Sequence, residues 1–196
     1  MRPCKKLPEG YEKKMTFDLQ NDKKLMVGIN IAAIVIAVLM LLLVLPFKSI
    51  SMLFDMSGGM VKYFLRFAVI LVGSIVYIFL HEFIHGFFFR FFSGEKATYG
   101  FTGPYAYAAS SWYFDKRSYL IIGLSPIVIW GIVLSVVCVV VPRDFFWSAY
   151  FIQVMNISGA AGDLYVTYKM LRLPPDILVR DHGTKMEIYS RHNTLK

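Results

Sequence analysis

The stretch that decides the fold is YIFLHEFIHGFFFRFF, residues 77–92. Almost every side chain in it is apolar or aromatic, yet His81, Glu82 and His85 all stand within it. A carboxylate is costly in an apolar environment, so an acid inside such a segment is by default a functional residue. The two imidazoles and the acid therefore need an explanation beyond burial.

The composition of the chain identifies its broad class. The chain has 196 residues, of which 57% are hydrophobic, and its mean hydropathy is +0.54. Soluble domains are less apolar than this. The apolar residues form long runs that approach the ~20 residues needed to cross a bilayer. We therefore predict an all-α integral membrane protein embedded in the lipid bilayer.

The apolar runs predict about four transmembrane helices. An anchor helix covers 25–45, and a core over 64–170 contains the other three, at 64–89, 119–141 and 145–170. The first run is not followed by a small-residue cleavage site, so we interpret it as a span rather than a removable signal peptide. Pro126 is predicted to kink the third helix or to free one of its carbonyl groups.

The remaining segments are predicted to be polar tails, 1–24 and 171–196, and connecting loops. The pattern allows short β-hairpins in the 90–118 loop and in the C-terminal tail, where KMEIY alternates. In the 90–118 loop, glycines and alternating aromatic residues would suit the addition of a substrate strand. An aromatic loop at the lipid headgroups explains the same composition equally well.

The net charge of +8 is explained by membrane topology. Lysine and arginine concentrate in the two tails and in the 90–118 loop, whereas the other loops hold Lys48, Lys62 and Arg143, with Arg66 near a boundary. The positive-inside rule then places both termini in the cytoplasm, as an even number of spans requires. No phosphate-binding loop or basic recognition helix is visible, so we expect no nucleic-acid partner. Two cysteines, Cys4 and Cys138, cannot form a disulfide framework.

The HEFIH segment matches the H-E-x-x-H pattern of zinc peptidases. His81 and His85 are one helical turn apart, so both imidazoles can reach one ion. Glu82 lies about 100° around the helix, where it can accept a proton from the attacking water. Histidines buried in helix bundles are often only hydrogen-bonded, but that alternative leaves Glu82 unexplained. We predict a zinc site that uses both histidines.

Zinc in a catalytic site needs a third protein ligand and one open position. Asp163 is the carboxylate in the fourth predicted span, and it lies as far from the start of that span as Glu82 lies from the start of the second. Equal depth in two parallel spans selects Asp163 as the third ligand. The alternative is that Asp163 pairs with Lys169 near the interface.

The residues before Asp163 add to this prediction. Asn156 and Gly159 lie seven and four positions before it on one helical face. Asn156 could donate a hydrogen bond to a substrate carbonyl or oxyanion, so it is a candidate catalytic residue. The small residues of SGAAG, 158–162, would let this helix approach a neighbour closely, although ordinary packing explains them too.

These motifs resemble the site-2 protease class of intramembrane metalloproteases. That class has a three-helix core in which one helix carries HExxH and another carries an aspartate ligand after an asparagine motif; here the counterparts are HEFIH, NISG and GDL. Ile157 stands where the class usually has proline, and GDL replaces LDG. The chain is still more similar to a family of small bacterial membrane proteins described as "putative zincin peptidases". The resemblance covers roughly 64–170 and implies a multi-pass protein of the bacterial cell membrane.

The leading hypothesis is a zinc-dependent intramembrane endopeptidase. Its ligands are His81, His85 and Asp163, and its catalytic residues are Glu82 and Asn156. The depth of the site predicts substrates that are membrane-anchored proteins or peptides near the cytoplasmic face. One alternative is a non-catalytic metal-binding membrane protein that regulates a partner. Another is ion transport, for which four spans without an inverted repeat are few.

Overall fold

The computed structural model describes residues 3–103 and 105–191. The ends of the two predicted tails, including His192, therefore lie outside the described residues. The helices, in chain order, are α1 Lys23–Val44, α2 Met60–Ser93, α3 Lys116–Val140, α4 Phe146–Gly159 and α5 Ala161–Leu171. The strands are β1 Glu12–Asp18, β2 Thr98–Thr102, β3 Tyr105–Ala109, β4 Tyr113–Asp115, β5 Leu178–Asp181 and β6 Lys185–Ser190.

Within the described ranges, α1, α2 and α3 are each long and apolar enough to cross a membrane. Helix α1 has no fully buried residue, and many of its apolar side chains are exposed, among them Ile34, Leu39 and Leu43. The α1 residues that pack in part against an apolar cluster are Ala37, Met40, Leu41 and Val44. Outward-facing leucine, isoleucine and valine at that density would be unfavourable in water, because apolar surface gains free energy by leaving water. The three helices therefore indicate association with a membrane.

The described residues divide into two compact units, and the first is built on β-sheet. This sheet unit contains the described parts of Met1–Ile29, Glu82–Pro126 and Gly162–Lys196. Its four-stranded antiparallel sheet has the order β1-β6-β5-β4. Phe89 from α2, Met170 from α5 and Ile188 from β6 are almost fully buried in one apolar cluster of this unit.

The sheet unit also contains the hairpin β2–β3, which pairs from Thr98↔Ala109 to Thr102↔Tyr105. A second hairpin joins β5 to β6. Its turn contains Gly183 with φ of +93°, a conformation that a side chain would disfavour. Both hairpins that the sequence pattern allowed are thus present.

The second unit is helical and comprises Asn30–His81 and Ile127–Ala161. Trp147 and Tyr150 of α4 are buried in an apolar cluster that also includes Leu53. The Tyr150 hydroxyl donates to the carbonyl of Met40 at 2.6 Å. Ser148 likewise donates to the carbonyl of Arg66 at 3.0 Å. Hydroxyl groups on two sides of α4 therefore anchor it to α2 and to α1 within the unit.

Two predictions about the fold need correction. The prediction of an all-α protein is wrong, because both described tails contribute strands to the four-stranded sheet. The predicted single helix over 145–170 is two helices, α4 and α5, separated at Ala160, whose ψ of 16° is not helical. Consequently neither α4 nor α5 is among the helices that meet the length criterion for a span.

Candidate metal centre

Helix α2 carries the two histidines and the acid on one continuous segment. His81 and His85 are four residues apart, so their side chains leave the helix on the same side, one turn from each other. His85 is buried, with 9% of its surface exposed. Glu82 follows His81 and points to the side of the histidine face. The helix thus fixes the relative directions of all three groups.

Asp163 lies in the first turn of α5. Because α4 ends before it, Asp163 sits at a helix N-terminus, where peptide N–H groups are unpaired and negative charge is favoured. Its Oδ2 lies 3.6 Å from Nε2 of His85. One ligand atom each from His81, His85 and Asp163 lies within 4.8 Å of the others. The structure therefore brings together the three predicted ligands.

The orientation of His85 follows from a proline in α3. A proline has no N–H, so the carbonyl four residues earlier lacks its helical partner. For Pro126 that carbonyl belongs to Ile122, and it accepts from Nδ1 of His85 at 3.0 Å and from the Ser125 hydroxyl at 2.9 Å. A carbonyl can only accept, so Nδ1 carries a proton and donates it to Ile122, and Nε2 is the ring nitrogen that faces Asp163. Metal-ligating histidines are typically held in this way.

His81 is held by a different partner. Its Nδ1 lies 2.8 Å from the hydroxyl of Tyr77, one turn earlier on α2. The same hydroxyl donates to Oδ1 of Asn156 at 2.9 Å. Asn156 is fully buried, and its amide nitrogen donates to the carbonyl of Ile127 at 3.4 Å and to Gln153 at 3.3 Å. The role predicted for Asn156, holding a substrate carbonyl, would require one of these bonds to be given up, and that role stays a prediction.

The comparison with protein families bears directly on this geometry. A family model described as "putative zincin peptidase" matches residues 74–178, which include both histidines, Glu82 and Asp163. The chain belongs to this family. The resemblance of the sequence to zincin peptidases is therefore confirmed. No curated protein and no solved structure matches the chain.

The donor set suits the metal that a zincin family implies. Two imidazole nitrogens and one carboxylate oxygen are a common ligand set of catalytic zinc. Each histidine has its Nδ1 engaged by Ile122 or Tyr77, which leaves Nε2 of both rings as the coordinating atom. His81, His85 and Asp163 are thus the residues that would hold zinc in this chain.

Tyr99 of the β2–β3 hairpin also reaches the zincin motif. A methyl group at Gly86, the residue after His85, would overlap the Tyr99 hydroxyl, so the absence of a side chain there admits the tyrosine. Partial burial, together with the negative charge of Glu82, raises the pKa of Tyr99. Glu82 and Gly86 are one turn apart on α2, so the phenol lies on the Glu82 side of the helix.

Asp181, a buried acid at the end of β5, lies near the predicted ligand His85. It accepts hydrogen bonds from the Tyr119 hydroxyl and, at 2.7 Å, from the backbone N–H of Gly183. Burial raises the pKa of Asp181 to about 7, and the charges of His85 and Asp163 act on it in opposite directions. Asp181 is not within the group of three ligand atoms that could hold a metal.

Sequence reasoning missed the residues that support the centre. Tyr77 could have been found, because it stands one turn before His81 on the same helical face. Gln153 is likewise one turn before Asn156. Tyr99 and Asp181 carry no such signal, since only the folded hairpins bring them to the helices.

Proposed function

We propose that this protein is a zinc-dependent endopeptidase of the membrane, with an arrangement like that of site-2 proteases. The observation that carries the proposal is the grouping of His81, His85 and Asp163 within 4.8 Å in a chain of a zincin peptidase family. Glu82, the acid of the HExxH motif, stands next to this group on the same helix. Two histidines, an aspartate and an adjacent base are the parts that hydrolysis of a peptide bond requires.

A bound zinc ion would polarise the scissile carbonyl and make water easier to deprotonate. The chain's own base is Glu82, which accepts a proton from the water that attacks the carbonyl carbon. It then returns the proton to the leaving amine as the carbon–nitrogen bond breaks, so Glu82 ends each cycle ionised. Asp163 contributes a negative charge to the ligand set at the N-terminus of α5.

The sheet supports the proposed multi-pass topology. Strand β1 precedes α1, β4 follows α2, and β5 and β6 follow α5, yet all four pair in one sheet. These segments must then lie on one side of any membrane that α1 and α2 cross. The basic residues concentrated in the same segments favour the cytoplasmic side. We therefore propose that both termini are cytoplasmic, with α4 and α5 together providing the final return crossing.

This topology bears on the substrate. Glu82 and His85 belong to the unit that also contains the cytoplasmic sheet, as do the β2–β3 hairpin and Tyr99. We propose that the substrates are membrane-anchored proteins or peptides cleaved near the cytoplasmic face. Residues Tyr99 and Phe101 of β2 are exposed, so that strand can be reached from outside the protein.

A non-catalytic metal-binding protein that regulates a partner is the second candidate. The hydrogen bonds that hold both histidines would serve a structural ion equally well. The two functions differ in what they require of Glu82. A structural or regulatory site needs His81 but has no use for a base, whereas a peptidase needs both.

The test is cleavage by purified protein in detergent, with zinc content measured on the same samples. Suitable probes are casein and a synthetic single-span peptide with a fluorophore and quencher flanking its interfacial segment. We expect the wild type to cleave, and Glu82→Gln to bind zinc but not to cleave. Glu95→Gln is the matched control, because Glu95 is an exposed acid paired with Lys5 beyond the end of α2. If zinc-loaded Glu82→Gln cleaved as fully as the wild type, the cleavage would not come from this site. The peptidase assignment would then fail, and the regulator would be favoured.

A further inference from the structure

A chain of buried hydrogen bonds runs through the helical unit and ends at His81. It begins at the carbonyl of Gly131, which accepts from Nε2 of Gln153 at 3.2 Å. It continues through Asn156 and Tyr77 to Nδ1 of the histidine. Gln153, Asn156 and Tyr77 are all buried, at 8%, 0% and 7% exposure, so water does not compete for these bonds.

The Gly131 carbonyl determines which group donates and which accepts in each of the hydrogen bonds that lead to His81. A backbone carbonyl cannot donate, so the Gln153 atom facing Gly131 is the amide nitrogen, and its oxygen therefore faces Asn156. That oxygen and the carbonyl of Ile127 both require a donor, so the amide nitrogen of Asn156 faces them. The remaining Asn156 oxygen can only accept, and it accepts from Tyr77.

The donor role of Tyr77 towards Asn156 determines where His81 carries its proton. A phenol has one proton, and here that proton is committed to Asn156. The Tyr77 oxygen can then serve His81 only as an acceptor, so His81 must carry its proton on Nδ1. Its Nε2 is left with the lone pair that a metal ion needs.

We propose that Asn156 and Tyr77 are positioning residues that hold His81 in its metal-binding tautomer. The proposal rests on the metal centre of the proposed function, but it does not depend on peptidase activity. It gives Asn156 a role that acts through Tyr77, without contact to the substrate. It also predicts that a change at Asn156 alters His81 although no atom of the histidine or tyrosine is replaced.

Two variants separate the parts of this arrangement. In Asn156→Leu, Tyr77 loses its acceptor, and its proton can turn towards Nδ1 of His81. The histidine then carries its proton on Nε2, where a metal would bind. In Tyr77→Phe, the hydrogen bond between Nδ1 of His81 and the hydroxyl at position 77 is lost. Loss of such supporting partners weakens metal binding by about 10- to 100-fold, and we expect that loss in both variants.

The matched control is Tyr150→Phe. It also removes a buried tyrosine hydroxyl of the helical unit, one that donates to the carbonyl of Met40 at 2.6 Å. Its effect on folding should be comparable, but its zinc affinity should equal that of the wild type. A general loosening of the helices would instead weaken zinc binding in all three variants.

The measurements are zinc affinity by chelator competition and the tautomer of His81 by ¹⁵N NMR of the metal-free protein. Spectra are recorded at roughly pH 8, above the ordinary imidazole pKa. We expect Nδ1–H in the wild type and Nε2–H in Asn156→Leu. An Nε2–H tautomer in the wild type, or wild-type zinc affinity in Tyr77→Phe, would overturn the proposal. Tyr77→Phe, which lacks one oxygen atom, decides the matter if Asn156→Leu does not fold. Neither measurement depends on cleavage. A negative result would therefore contradict the positioning role of Asn156 and Tyr77 without contradicting peptidase activity.

Discussion

Replacing Pro126 by alanine should strengthen the fold and weaken the metal site. Alanine restores an N–H at position 126, and that N–H points along α3 at the carbonyl of Ile122. The same carbonyl now accepts from His85 at 3.0 Å. The helical N–H would compete with the imidazole for this acceptor, and His85 would lose the bond that fixes its ring and tautomer.

The two effects have opposite signs. Alanine is favoured over proline inside a helix by about 3 kcal/mol. Loss of the apolar surface of the buried ring costs about 0.8 kcal/mol for each of its missing CH₂ groups. We therefore expect the metal-free protein to gain about 1 kcal/mol of unfolding free energy from the difference. Zinc affinity should fall by about 10- to 100-fold, because His85 loses its supporting partner.

The assay pairs chelator competition for zinc with thermal unfolding in detergent and EDTA. Ser125→Ala is the control, since the Ser125 hydroxyl also donates to Ile122 but its removal leaves the carbonyl open to His85. That variant should bind zinc as the wild type does. Unchanged zinc affinity in Pro126→Ala would refute the role of the freed carbonyl. A parallel fall in stability and affinity would show that the proline acts only through packing.

Three further predictions concern other parts of the protein. Gly86→Ala should change the melting temperature less favourably in the wild type than in a Tyr99→Ala background, because the added methyl group overlaps the Tyr99 hydroxyl. Equal shifts in the two backgrounds would contradict the contact. Asp181 has a folded pKa of about 7 against an ordinary 3.8, so its protonated form favours folding. The contribution of Asp181 to the unfolding free energy should therefore fall by about 4 kcal/mol between roughly pH 4 and 7. In denaturant titrations of the metal-free protein, the stability difference between the wild type and Asp181→Asn should change by about that amount over this range. Glu9→Cys and Ser57→Cys, each in a cysteine-free chain, should react with an impermeant maleimide from opposite sides of the membrane; labelling from one side would contradict the topology.

The long helices could be predicted from the sequence because their apolar runs are uninterrupted. The predicted ranges 25–45, 64–89 and 119–141 differ from α1, α2 and α3 by a few residues at each end. The break at Ala160 could not be predicted in this way. The apolar pattern continues through SGAAG, and small residues fit a helix interior as well as a helix end.

The sheet was missed because its pairing is non-local. The alternation in KMEIY indicates a strand, and β6 is there. Its partner β1, however, lies near the other end of the chain, and Phe17 pairs with Met186. No local pattern in residues 12–18 specifies that partner, so the segment looks like a polar tail until the chain is folded.

The candidate site shows the same division between local and non-local information. Helical spacing was enough to select His81, Glu82 and His85. Equal depth in two spans selected Asp163, and the structure places its carboxylate 3.6 Å from His85. The freed carbonyl was also foreseen from Pro126, but its recipient was not, because the bond joins two different helices.

Metal analysis of the wild type beside His85→Ala and Asp163→Ala tests the proposed metal centre most directly. Each protein is purified, equilibrated with zinc, passed through a desalting column and analysed for bound metal. We expect stoichiometric zinc in the wild type and loss of zinc in both variants, since each removes one of the three proposed ligands. Loss in His85→Ala with retention in Asp163→Ala would contradict the proposed centre.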